Sequence, residues 1–244
     1  GLGAGEAEVP PPAPRAPPDR PGWAGPGPGC ETTPSCTDHT IQALGLQPTV
    51  APGSITNTKE DGGFVSRIDA TAGGFTANPP HAYVYGRFTR SGLEKVEISD
   101  EEALESTEWD IAFRRFIIRI NSGNSGPSCV EAAALEEGIL FEDVSAPAAE
   151  ADYEFDEFYT QSCEFIDDGT GLSTSPGTAL SSYYQYGSCL MMTKRVYALR
   201  LARGENIKLE VLGYYGEKQA LCDEEGVASS DRSGHIVIRW AFLE

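Results

Sequence analysis

Thioethers are the scarcest metal-binding side chains here, and both fall in one stretch. Ser182-Tyr-Tyr-Gln-Tyr-Gly-Ser-Cys-Leu-Met-Met192 holds both methionines of the chain, Met191 and Met192, just after Tyr184 and Tyr186. A thioether is a soft ligand for iron or copper, and a phenolate can ligate ferric iron. Adjacent strand residues face opposite ways, so only one of the two methionines can point at a given site; methionine is also a gap-filler of cores. His39, His81 and His235 stand far apart, and no histidine lies between residues 82 and 234. Asp167-Asp168-Gly169-Thr170-Gly171 resembles a fragment of a calcium loop. It lacks the alternating acids and terminal Glu, so it reads as a solvated turn. The acidic run Asp100 to Glu105 reads as a solvated face. Gly-x-Ser-x-Gly, His-Glu-x-x-His and a Gly-rich phosphate loop are all missing, which argues against an enzyme.

Six cysteines, Cys30, Cys36, Cys129, Cys163, Cys189 and Cys222, occur without Cys-x-x-Cys or zinc spacing. An even, dispersed set favours disulfides and an oxidising compartment, with fifteen possible pairings. The formal net charge of −19 repels phosphates and anionic lipid head groups, which sets nucleic acid aside as a partner. No run approaches the roughly 20 apolar residues of a transmembrane segment. Of 17 prolines, 12 lie in the first 52 residues. Residues 1–29 read as a Pro/Gly-rich disordered linker, residues 30–63 as a disulfide-tied flap, and residues 64–244 as one folded domain.

The elements that must position these side chains are strands. In Trp109-Asp-Ile-Ala-Phe-Arg-Arg-Phe-Ile-Ile-Arg-Ile-Asn-Ser-Gly-Asn-Ser-Gly126, Phe116, Ile118 and Ile120 alternate with Ile117 and Arg119, while Ile111 and Phe113 alternate on odd numbers. The phase slips at Arg114-Arg115, as at a β-bulge, so the stretch reads as one bent strand ending in a mobile loop. Ala82 to Thr89 reads as a strand with Gly86 as a bulge or kink, followed by a hairpin turn at Arg90-Ser91-Gly92. Ser99 is placed to cap a short helical turn, with Glu102 in the capping-box position. Val130 to Glu137 is the other helix-prone run. Tyr197, Leu199 and Leu201, then Ile207, Leu209 and Val211, then Ile236, Ile238, Trp240 and Phe242 define three antiparallel strands, with a hairpin at Gly204-Glu205-Asn206. The class is all-β, an antiparallel meander.

Trp109 to Phe116, followed by Arg119-x-Asn-Ser-Gly-x-Ser-Gly126, resembles the signature of the HmuY-like proteins, secreted or surface-attached bacterial proteins whose studied members bind haem. Arg195-Val-Tyr-Ala-Leu-Arg200, Lys208-Leu-Glu-Val211, Tyr214-Tyr215 and the closing strand to Phe242 resemble the family's C-terminal half. The resemblance implies a single curved antiparallel sheet from which a protruding two-stranded extension reaches over the ligand. It also implies haem as cofactor, captured without catalysis from haem or a haem-carrying protein, and a secreted, periplasmic or cell-surface location with a possible partner protein there. Family ligands come from the extension and from the segment before the Arg195 strand. That makes Met191 or Met192 one axial candidate, with Tyr184 and Tyr186 as lining or phenolate ligands. Residues 152–165 offer Tyr153, Tyr159 and Cys163 for the other. The family's bis-histidine pattern is absent. Cys163 and Cys189 fall where the resemblance brings the two ligand-bearing segments close, which favours a clamp between them; Cys30 is paired with Cys36 as a local loop, and Cys129 with Cys222 then remains. The alternative is an HmuY-like scaffold that has lost haem ligation and binds a protein or another small molecule.

Overall fold

The computed structural model describes residues 31–172 and 174–244; the Pro-rich leader and Cys30 lie outside the described residues. In chain order the elements are α1 (Thr37–Ala43), β1 (Ile55–Glu60), β2 (Gly63–Asp69), β3 (Val84–Thr89), β4 (Gly92–Val96), α2 (Asp100–Ala103), β5 (Ile111–Arg114) and β6 (Ile117–Ile120). They continue with β7 (Glu131–Ala134), β8 (Tyr184–Tyr186), β9 (Leu190–Met192), β10 (Val196–Arg200), β11 (Asn206–Gly213), α3 (Gln219–Glu225) and β12 (His235–Leu243). Ladders run β1-β2-β12-β11-β10-β7, β4-β3-β5-β6 and β8-β9. Each of these ladders among the described residues is antiparallel, so the all-β class holds. The strands are shared between a six-stranded sheet, a four-stranded sheet and the two-stranded β8–β9 hairpin.

Alternation explains the layers. Leu199, Ile207, Leu209, Ile236, Ile238 and Trp240 of the six-stranded sheet share one core with Val84, Phe88, Ile111, Phe113, Ile118 and Ile120 of the four-stranded sheet. The intervening Tyr85, Ala112 and Ile117 turn to a second core, completed by Tyr83, Leu44, Leu46, Leu104, Trp109 and Phe158. The four-stranded sheet is therefore buried on both faces. Gly86 lies in regular register with Lys95 and Ile111. A Cβ there would meet the Leu93 side chain at 2.9 Å, so Gly86 marks a close approach and not a bulge.

The stretch at Arg114-Arg115 is not one bulged strand. Ile111 pairs with Ile120 and Arg114 with Ile117, leaving Arg115 and Phe116 as a two-residue hairpin turn. Arg115 has φ 52°, the positive value that the first position of a tight hairpin turn adopts. A reversal over two residues shifts the apolar phase just as one extra residue does, so alternation alone does not separate them. The loop that follows is not mobile but buried and tied: Asn121, Ser122 and Ser125 are fully covered. The Asn121 side-chain amide donates to the backbone carbonyls of Ser106 and Trp109, and the Asn124 side-chain Oδ1 accepts from the backbone amides of Phe158 and Tyr159.

Other expectations change for tertiary reasons. The Ser99 capping box forms as expected, but Asp100 is fully buried and not part of a solvated face. Its carboxylate accepts from the amides of Gln47 and Tyr83 and from the Tyr85 hydroxyl, 2.8–2.9 Å away. The helix-prone run at 130–137 supplies β7, because pairing with β10 outweighs local propensity. Within residues 30–63, β1 pairs with β2 and Leu44 and Leu46 enter the second core. Cys36 bonds to Cys163 and Cys189 to Cys222, and Cys129 is also disulfide-bonded. The expected Cys30–Cys36, Cys163–Cys189 and Cys129–Cys222 pairs are therefore overturned: Cys163 lies beside α1, and Cys189 beside α3.

Asp156 ties this framework to the chain entering β8. Its carboxylate accepts from the amides of Ile120 and Ala179 and from the Ser125 hydroxyl, and burial pushes its pKa up to about 6. A carboxyl raised in the folded state adds stability while protonated, below its unfolded value near 4, and loses it as pH rises through about 6. Thermal unfolding followed from pH 4 to 7 is expected to show this loss, up to roughly 3 kcal/mol. Asp156→Asn lowers Tm overall and removes that component of the slope; an unchanged slope would assign the pH dependence elsewhere.

Candidate functional site

The candidate site is built on the β8–β9 hairpin. Its register pairs Tyr184 with Met192, Gln185 with Met191 and Tyr186 with Leu190. Cross-strand partners share a face, so Tyr184 and Met192 point into the first core while Met191 turns to the opposite face. Met192 is buried. Met191 is half-buried, packs against the rim of the same core, and places its terminal methyl beside Gly187. Tyr186 is 48% exposed.

Three devices hold the hairpin. The Cys189–Cys222 disulfide joins it to α3. The Met192 amide donates to the Asp223 carboxylate at 2.9 Å, and the Gln219 amide nitrogen donates to the Leu190 carbonyl at 2.9 Å. The Gln219 amide oxygen also accepts from the backbone of Tyr214 and Tyr215, while the Tyr215 hydroxyl accepts from the Leu190 amide. Aromatic rings line the side toward the core. Tyr183 meets Tyr184 edge-on at 4.8 Å, Tyr214 meets Tyr215 at 4.9 Å, and Phe116 meets Tyr184 at 6.2 Å.

Tyr184 is already engaged. Its hydroxyl donates to Asp168 at 2.7 Å, and Ser175 donates to the same carboxylate oxygen. Burial pushes the Tyr184 pKa up to about 12. The other Asp168 oxygen accepts from the amide and hydroxyl of Thr170. The 167–171 segment is therefore not a simple solvated turn; it anchors the hairpin. Next to it, Ala43, Phe165, Asp167, Gly171, Leu172 and Thr174 line an open groove of about 290 Å³.

The structure brings Tyr184, Tyr186, Met191 and Met192 together and leaves Tyr159 elsewhere. Tyr159 lies in the second core, bridged to Phe165 and packed on its ring at 5.6 Å. Sequence reasoning missed Phe116, Tyr214, Tyr215, Gln219 and Asp223 as supports of the site. The doubled tyrosines at 214–215 were the only local signal. Gln219 and Asp223 act through backbone groups, which leave no side-chain pattern. Among the described residues, no three His, Cys, Asp or Glu side chains group as a metal site. No helix among them is long and apolar enough to cross a membrane.

Fold and site together define an antiparallel β scaffold whose sulfur and phenol groups sit on a hairpin stapled to a short helix. The chain belongs to the HmuY family: the family described as HmuY protein matches residues 82–226, more than half of the sequence. Among solved structures, a Bacteroides vulgatus protein described as HmuY-like is similar, at 19% identity and TM-score 0.46, over 76% of this chain and 95% of that one. The apo HmuY analogue of Tannerella forsythia is similar at 18% identity and TM-score 0.41, over 80% and 98% respectively. No curated protein matches the chain.

Proposed function

We propose that the protein binds haem at the β8–β9 hairpin and carries it without transforming it, as a secreted, periplasmic or surface protein. Family membership supports haem as the ligand, and the disulfides support an oxidising location. The observation that carries the reading is the half-buried Met191, a thioether on the hairpin face opposite the core-facing Tyr184 and Met192. A thioether is a soft donor able to ligate haem iron. Haem, when bound, would supply the iron centre; the chain's own residues bind and shield it. Met191 is the favoured axial residue, since Met192 is committed to the core. Tyr186 is the remaining accessible phenol, and Tyr184 serves as wall and anchor through Asp168.

Haemin titration of single variants tests this assignment. Met191→Ala is expected to weaken binding at least about ten-fold with little change in stability, since one coordination bond exceeds 1.4 kcal/mol. Met192→Ala is expected to cost about 2–4 kcal/mol of stability through the cavity it leaves. Equal affinity in Met191→Ala and wild type would exclude Met191 as ligand.

A second reading, a scaffold that has lost haem ligation and binds another small molecule or a protein, draws support from the missing histidines and the committed Tyr184. Failure of wild type to bind haemin would select it.

A further inference from the structure

We propose that residues 137–153 form an electrostatic strap that opens and closes over the outer face of the six-stranded sheet, with ionic strength as its control. The segment carries Glu137, Glu142, Asp143, Glu150 and Asp152 and no basic residue. In β10, β11 and β12 the core takes Tyr197, Leu199, Ile207, Leu209, Ile238 and Trp240, so the residues between them face outward. Among those are Arg200, Lys208 and Arg239, and each reaches the strap. Arg239 bonds to Glu142 at 2.7 Å, and Arg200 to Glu150 at 2.8 Å. Lys208 donates to the carbonyls of Phe141 and Val144 at 2.8 and 2.9 Å. The Phe141 ring centre lies 4.5 Å from both the Lys208 ammonium and the Arg239 guanidinium, and the Tyr153 ring 4.4 Å from that of Arg200. Arg195, just before β10, adds a bond to Glu137 at 2.8 Å.

Little else holds the segment. Val144 is its one buried residue among those described, and Leu140 is 59% exposed. Among the described residues, its bonded backbone amides turn inward, to acceptors in the segment itself or to Glu136. At one end Glu154 exchanges two backbone bonds with Ala132; at the other stands Gly138 at φ 85°. A segment tied mainly by surface charges, with almost no apolar area covered, sits at the low-stability end of a fold. The side chains of Glu137, Glu142 and Glu150 are 83%, 65% and 81% exposed, so salt screens their pairs. Phe141, Glu142, Val144 and Ser145 also form one wall of a cleft of about 930 Å³, shared with the β1–β2 turn and the end of β12. Release of the strap removes that wall. It also uncovers three cations on a chain where acids outnumber bases 37 to 18.

Hydrogen exchange of the full chain, read by mass spectrometry on peptides covering 139–153, tests the strap. Between about 0.01 and 1 M salt the Debye length falls from about 30 to 3 Å. Exchange in those peptides is expected to rise at least about five-fold over that range, while peptides of β10, β11 and β12 stay protected. A triple variant, Glu137→Gln, Glu142→Gln and Glu150→Gln, leaves the sheet's own residues in place. It is expected to exchange at low salt as wild type does at high salt, with a remaining salt response within about two-fold. Phe141→Ala is expected to raise exchange at every salt concentration and to keep the salt response, since the ion pairs remain. Salt-independent exchange in wild type overturns the proposal, as does an undiminished salt response in the triple variant.

Discussion

Replacing Asp110 with alanine is expected to lower folding stability by about 3–5 kcal/mol, a large share of a typical domain's margin. Asp110 is 1% exposed. Arg203 grips it with two bonds of 2.9 and 3.0 Å, and the Phe88 amide donates to it at 2.9 Å. Arg203 also donates to the Phe88 carbonyl, so this one cluster joins the four-stranded sheet to the turn between β10 and β11. Truncation takes the buried carboxylate from a mostly covered guanidinium, which keeps the Phe88 carbonyl and Glu205, and leaves the Phe88 amide without its acceptor, which costs more than the pair itself contributes. Arg87→Ala supplies the contrast. Its partner Glu108 is 58% exposed, and loss of such a pair is expected to cost under about 1 kcal/mol. Urea titration of both variants measures the difference; comparable midpoints would show that the Asp110 cluster is not the junction described.

Loss of the Cys36–Cys163 disulfide has a comparable expected cost, roughly 3–5 kcal/mol, because it joins residues separated by 127 positions. Both cysteines sit at positive φ, 56° and 59°, and serine replacements keep that strain without the bond. The bridge fixes α1 to the segment carrying Tyr159 and Phe165, over the second core. The hairpin is held by other means, through Cys189–Cys222, Gln219 and Asp223. The Cys36→Ser, Cys163→Ser double variant should therefore melt well below wild type yet bind haemin with unchanged affinity when folded. A parallel loss of affinity would show that the two halves are coupled more tightly than their separate supports indicate.

The strands were legible because their alternation is strict. Tyr197 to Leu201, Ile207 to Val211 and Ile236 to Phe242 each place every second side chain in one core, and Gly204-Glu205-Asn206 turns the chain between the first two. The capping box at Ser99 was legible for a similar reason, since both partners lie within one turn. Long-range events were not. Nothing near Cys163 names α1 as its neighbour, and nothing near Asp100 announces that Gln47 and Tyr83 bury it. Charge in the sequence suggested solvent at Asp100 and Asp168, whereas Gln47, Tyr83 and Tyr85 offset the cost of covering the first, and Thr170, Ser175 and Tyr184 occupy the second. The hairpin's tyrosines and methionines were visible as a cluster. Which methionine faces the core depended on the register of Tyr184 with Met192, and only the fold supplies that.

The central claim is that the hairpin binds haem through a methionine. The most direct measurement is titration of the oxidised protein with haemin, followed by absorbance spectra in the ferric and ferrous states. A saturable Soret shift at about one equivalent, with a reduced spectrum of methionine-ligated iron that Met191→Ala abolishes, is the predicted result. A response no greater than that of an unrelated acidic protein would contradict it, and the aromatic hairpin would then belong to a different ligand.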